Sequence, residues 1–161
     1  MIIVLMGVSG SGKTTIGRLL AQDLGWRFLE GDDYHPRNNV RKMQQGIPLE
    51  DKDRWPWLDA LRELISEIVE REESAVIACS ALKKAYRDRL RGNAVQVRFV
   101  YLRGSCDLIE QRVRERQGHF FQANLLRSQF EILEESEDIW HVDISHNPEV
   151  IVAAVREVVG L

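Results

Sequence analysis

Gly7-Val8-Ser9-Gly10-Ser11-Gly12-Lys13-Thr14-Thr15-Ile16-Gly17 is the stretch that decides the reading of this chain. Its first eight residues fit G-x-x-x-x-G-K-[ST], a loop whose glycines let backbone N–H groups turn inward around phosphate oxygens. The apolar run before it, Ile2–Met6, predicts a buried strand. Lys13 opens a predicted helix whose positive dipole end faces the same phosphates. In this pattern Lys13 reaches the β- and γ-phosphates of a bound nucleotide, and the Thr14 hydroxyl ligates Mg²⁺. The expected nucleotide contacts are Gly7, Ser9, Gly10, Ser11, Gly12, Lys13, Thr14 and the adjoining Thr15. Such a loop signals a nucleotide without naming a reaction.

Outward from the loop, strand and helix signals alternate to the end of the chain. The helix from Lys13 carries Ile16, Leu19, Leu20 and Leu24 at helical spacing and stops at Gly25. Arg27–Glu30 reads as a second strand. The polar stretch from Gly31 to Asp53, broken by Pro36, Gly46 and Pro48, predicts an excursion from the sheet with one short helix over Asn38–Gln45. Pro56 suits the first turn of a long helix. Ala75–Ser80 has the continuous apolar character of a central parallel strand. A basic helix over Leu82–Arg91, a strand at Val97–Leu102, a helix over Cys106–Arg116 and another ending near Glu134 follow. A last strand at Trp140–Ser145 and a helix from Pro148 complete the pattern. The expected fold is α/β: a five-stranded parallel sheet with helices on both faces, in a single domain over residues 1–161. Residues 31–55 form its substrate-side excursion and 112–125 a lid.

Composition narrows the class. The 161 residues are 44% hydrophobic and 29% charged, with a net charge of −3. Those values suit a soluble globular protein and not a basic nucleic-acid surface. No apolar run approaches membrane-spanning length, the first strand lacks a basic leader, and the two cysteines lack metal-ligand spacing. The expectation is a cytoplasmic protein without a nucleic-acid or membrane partner. N-K-x-D and D-x-x-G motifs are absent, which disfavours a GTPase switch. Asp143 superficially completes a Walker-B pattern, but a structural role suits its place at the last strand. What remains resembles the small nucleoside-monophosphate-kinase-like group, in which ATP phosphorylates a small molecule.

Acceptor chemistry is sought at the strand ends. Glu30 and Asp32 form a carboxylate-x-carboxylate pair; on an extended chain both project the same way, toward the phosphate loop. Asp32 is placed to orient a hydroxyl and accept its proton, and Glu30 to contact Mg²⁺ through water. Asp33 reads as a solvated turn residue.

The blocks GVSGSGKTT, LEGDDYHP, KMQQGIPLEDKDRWPWL, CSALKKAYRDRLR, and GHFF followed by SQFEILEE resemble the successive motifs of the gluconate kinase (gluconokinase) family. They run from Gly7 to about Glu135 in the family's order. The resemblance implies MgATP-dependent phosphorylation of D-gluconate to 6-phospho-D-gluconate, feeding the pentose phosphate or Entner–Doudoroff route, and a homodimer. It assigns sugar-acid contacts to the basic block and to His35, places Arg112 near adenine, and places Arg116 near the transferring phosphate.

The residue types agree with an acidic polyol. Lys83 and Arg87 are spaced i,i+4 beyond the central strand, and Arg54 can meet them across the cleft. An arginine fork matches a carboxylate. Lys84, Arg89 and Arg91 read as a solvated face, and Trp55 and Trp57 as anchors of the long helix. Gln129 is a candidate hydrogen-bonding partner of substrate, with a packing role equally open. Gly118 offers the lid a hinge, Arg114 pairs with Glu110, and Pro148 in SHNP stands where an adenine pocket needs a wall. Two other readings stay open: a shikimate-kinase-type enzyme, and a catalytically silent nucleotide-binding regulator.

Overall fold

The computed structural model describes residues 1–115 and 123–161. Five parallel strands form one sheet: β1 (Ile2–Met6), β2 (Arg27–Glu30), β3 (Ala75–Ala78), β4 (Val97–Arg103) and β5 (Ile139–Asp143), in the order β2-β3-β1-β4-β5. Between and after them lie α1 (Lys13–Leu24), α2 (Arg37–Gln44), α3 (Asp51–Glu70), α4 (Lys84–Arg91), α5 (Cys106–Glu115), α6 (Ala123–Ile132) and α7 (Pro148–Val159). No described helix is long and apolar enough to cross a membrane.

The sheet is buried on both faces, which explains the unbroken apolar run of β1. Ile2, Val4 and Met6 face Trp57, Leu58, Leu61, Ile65 and Ile68 of α3 and Tyr86 and Leu90 of α4. Ile3 and Leu5 point the other way, toward Ile16 and Leu20 of α1 and Ile151, Val155 and Val159 of α7. Fully burying each such side chain contributes about 1.5–3 kcal/mol. β1 and β3 are neighbours whose outgoing connections run to opposite halves of the sheet. A crevice therefore opens beyond their carboxyl ends, the usual ligand position in such sheets.

The expected architecture and the α1 and β2 bounds agree with the structure; the main differences lie between β2 and α4. After β2 the chain does not stay extended but tightens into a 3₁₀ turn over Gly31–Tyr34. Gly31 permits it: a Cβ there would lie 2.4 Å from the Ala78 carbonyl oxygen. Helix α3 starts at Asp51, so Pro56 lies inside it and not in its first turn. The Asp53 carboxylate accepts the Glu50 N–H at 2.9 Å and nucleates the earlier start. Pro56 sits on the exposed side, where solvent can hydrate the carbonyl it cannot serve. Lys83 precedes α4 in extended conformation, so it does not share a helical face with Arg87.

Candidate active site

A cavity of about 320 Å³ occupies the crevice. The phosphate-loop side contributes Ser9, Gly10 and Lys13; the β2–α3 side contributes Asp32, His35, Arg54 and Trp57; Ser80, Leu82 and Gln129 close it from the far half. The structure thus brings a phosphate loop, an exposed carboxylate and an arginine to one cavity.

The loop is built as its sequence demands. Gly12 caps α1 in left-handed conformation, with φ of 94°. Gly10, at φ 81°, lies so close to α5 that a Cβ would stand 2.4 Å from Val113 Cγ2. Lys13 is half-buried, and its ammonium donates to the Gly7 and Val8 carbonyls at 3.0 and 2.9 Å. It therefore braces the loop as well as facing the cavity. The Ser11 hydroxyl is buried without a hydrogen-bond partner among the described residues, leaving an unused polar atom under the loop. Thr15 is exposed beside Thr14.

Thr14 Oγ1 donates to Glu30 Oε2 at 2.6 Å, so the two expected metal ligands stand side by side. A hydroxyl and a carboxylate are hard oxygen donors, and Mg²⁺ takes few protein ligands while keeping several waters. The pair fits that ion. Among the described residues no cluster of three or more His, Cys, Asp or Glu side chains is arranged to hold a metal.

Asp32 lies on the 3₁₀ turn with its side chain 70% exposed, and its Oδ1 is 3.7 Å from His35 Nε2. The His35 ring, only 3% exposed, stacks on Trp57 with centroids 4.0 Å apart and planes at 18°. Trp57 in turn donates its indole N–H to the Gly31 carbonyl at 2.8 Å. Burial pushes the His35 imidazole down to about 4, with Asp32 opposing and Arg54 adding to the effect. His35 is therefore neutral at physiological pH.

The basic residues divide sharply. Arg54 lines the cavity, with NH1 donating to the Leu49 carbonyl at 2.5 Å and to Tyr86 Oη at 3.3 Å. Tyr86 hydrogen-bonds Asp51, whose carboxylate also accepts Lys83 Nζ at 3.0 Å. Lys83 is thus engaged behind Arg54 and does not line the cavity.

Arg87 departs furthest from its expected place. It is fully buried, and its guanidinium donates to the Ala81, Leu82 and Glu134 carbonyls, Ser136 Oγ and Asp138. Those contacts leave it inside the protein as a structural tie, away from the cavity.

On the opposite side, Gln129 Oε1 accepts the Ser9 backbone N–H at 2.6 Å, joining α6 to the phosphate loop. Arg112 donates to the Ile144 carbonyl at 2.5 Å, just before the turn leading to exposed Pro148. These two expected adenine-side residues approach a common turn outside the cavity. Asp143 accepts the Ser145 N–H at 2.7 Å, a local turn contact. Arg116 and the centre of the expected lid, including Gly118, lie outside the described residues. Asn39, Trp57, Ser80 and Tyr86 were not among the expected site residues; their roles depend on partners brought from other elements. The sole sequence trace of Asn39 is its i,i+4 spacing from His35.

Comparison with known proteins extends these observations. The family described as "AAA domain" matches residues 2–135. The thermosensitive gluconokinase of Escherichia coli K12 is 45% identical over 160 residues, covering 97% of this chain and 86% of its own. The thermoresistant gluconokinase of the same strain is 46% identical over 162 residues, covering 98% and 93%. A crystal structure of a gluconokinase from Sinorhizobium meliloti 1021 superimposes with a TM-score of 0.86 at 41% identity, covering 98% of this chain and 94% of that one.

Proposed function

Starting from the fact that the chain belongs to the gluconokinase family, a family of kinases, we propose that it transfers the γ-phosphoryl group of ATP to D-gluconate, giving 6-phospho-D-gluconate and ADP. The observation carrying this reading is that Lys13, Asp32 and Arg54 line one cavity. A phosphate-binding cation, a proton-accepting carboxylate and a carboxylate-binding fork are the three groups the reaction needs.

Each side chain has a task that follows from its position. The phosphate loop and Lys13 hold the triphosphate and stabilise its developing charge. Thr14 and Glu30 would hold Mg²⁺, which supplies charge neutralisation at the phosphates when bound. Arg54 binds the gluconate carboxylate and orients the polyol. The terminal hydroxyl oxygen forms a bond to the γ-phosphorus, whose bond to the ADP oxygen breaks, and the hydroxyl proton passes to Asp32. Such a base contributes about 10²–10⁴-fold.

The test is an aldonic-acid panel with MgATP, scored by ADP release and identification of the product. Gluconate should be phosphorylated at its terminal hydroxyl. Preferential turnover of shikimate would replace this reading with the related kinase, and nucleotide binding without turnover of any acid would replace it with a silent regulator.

A further inference from the structure

The orientation of the His35 ring can be derived from atoms that have no choice of role. The Asp53 backbone carbonyl only accepts hydrogen bonds, and the Asn39 side chain meets it at 2.8 Å through Nδ2. That contact fixes the amide, and the same nitrogen lies 3.1 Å from His35 Nδ1. Nδ1 must then accept, so the neutral ring carries its hydrogen on Nε2. Asn39 is only 3% exposed, which shields this arrangement from water. The Trp57 stack sets the ring plane, and the Nε2 edge faces Asp32 Oδ1 at 3.7 Å.

We propose that Asn39 and His35 form a positioning relay, in which Asn39 holds the Nε2–H tautomer and His35 presents that hydrogen to Asp32. Asp32 needs such a guide because its side chain is largely exposed on a short turn. A carboxylate that rotates freely meets the acceptor hydroxyl in the productive orientation only part of the time. The relay restricts it as the proton is transferred. His35 is poorly suited to a direct sugar contact: one ring face is covered by Trp57, Nδ1 is engaged by Asn39, and Nε2 faces the base. This inference rests on the kinase reading above, and it moves His35 from substrate binding to orientation of Asp32.

The charged groups facing the ring are Asp32 from the 3₁₀ turn and Arg54 from α3. Burial outweighs the attraction of Asp32 and keeps the imidazole neutral. A neutral ring still donates through Nε2 while leaving Asp32 its negative charge.

The experiment combines ring NMR of the full chain with kinetics of two variants. The chain has four histidines, and His35→Gln identifies the His35 signals by their loss. In the wild type the ring nitrogens should report the Nε2–H tautomer in the absence of substrate. His35→Leu should lower kcat for gluconate by about tenfold to a hundredfold, the scale of a misplaced reacting group, with both KM values changing less than about threefold. Gln can place an N–H near the position of Nε2, so His35→Gln should recover most of that kcat. An Nδ1–H tautomer would overturn the relay. A rise in gluconate KM with kcat intact would make His35 a substrate contact. Equal impairment of folded Gln and Leu variants would assign the effect to the Trp57 stack instead. If Leu fails to fold, the wild-type tautomer and the Gln kinetics still decide. Failure of the wild type to phosphorylate gluconate would overturn the kinase reading separately, because the tautomer measurement needs no substrate.

Discussion

His35 links site geometry to acid stability. Its imidazole is held at about 4 in the folded protein, against 6.5 for the free side chain, chiefly by burial. The unfolded chain therefore takes up the proton first as pH falls. The contribution to folding is complete above pH 6.5, declines as pH falls toward 4, and levels off below. Denaturant unfolding of wild type and His35→Gln at about pH 7, 5.5 and 4.5 should show this as a steeper decline for the wild type. Parallel curves would mean that His35 takes up its proton equally readily in the folded and unfolded states. The same residue shows the limit of sequence reading. That a histidine beside a candidate base belongs to the site is legible from DDYHP. That its nitrogens are committed to Asn39 and Asp32 depends on α2 and α3 meeting, which local sequence does not report.

At the scale of elements, Asp53 is the joint between α2 and α3. Its carboxylate accepts Lys42 Nζ at 3.0 and 2.8 Å and the Glu50 N–H at 2.9 Å, while its carbonyl accepts from Asn39. The Lys42 hydrogen bond is the main reason its carboxyl lies below the usual range. Asp53→Ala removes the cap and the ion pair together. We expect a destabilisation of about 1–2 kcal/mol, the scale of a helix cap. Because the Lys42 and Asn39 contacts of α2 both end on Asp53, the opening should be local and appear as about tenfold faster amide exchange across α2. Uniformly faster exchange over the whole sheet would show that Asp53 supports global stability instead. The central strands are legible in sequence because they are buried on both faces and read as continuous apolar runs. The start of α3 is less so: Pro56 is a conspicuous helix-start signal, yet the side chain that nucleates the helix is Asp53, three residues earlier.

At the scale of the whole molecule, the cavity lies between two halves of the chain, and a buried arginine ties them behind it. Arg87 on α4 grips Glu134, Ser136 and Asp138, which lead from α6 into β5, and holds them to Ala81 and Leu82 after β3. The Glu134 N–H adds a bond to the Leu82 carbonyl at 2.8 Å, and its carboxylate accepts the Lys84 N–H at 2.8 Å. Leu82 and Gln129 both line the cavity, so this tie sets the distance between its walls. From sequence, Arg87 is indistinguishable from a substrate-binding cation, since i,i+4 spacing from Lys83 gives no sign of which side chain turns inward. The two roles predict different kinetics for Arg87→Met. If Arg87 bound substrate, the substitution would raise gluconate KM in a protein of normal stability. As a structural tie, its removal strands Asp138 and several carbonyls in the interior, at a cost of about 3–5 kcal/mol. We expect the second pattern: a large fall in unfolding free energy, with gluconate KM nearly unchanged at temperatures where the variant remains folded. A selective rise in KM at undiminished stability would return Arg87 to the acid site.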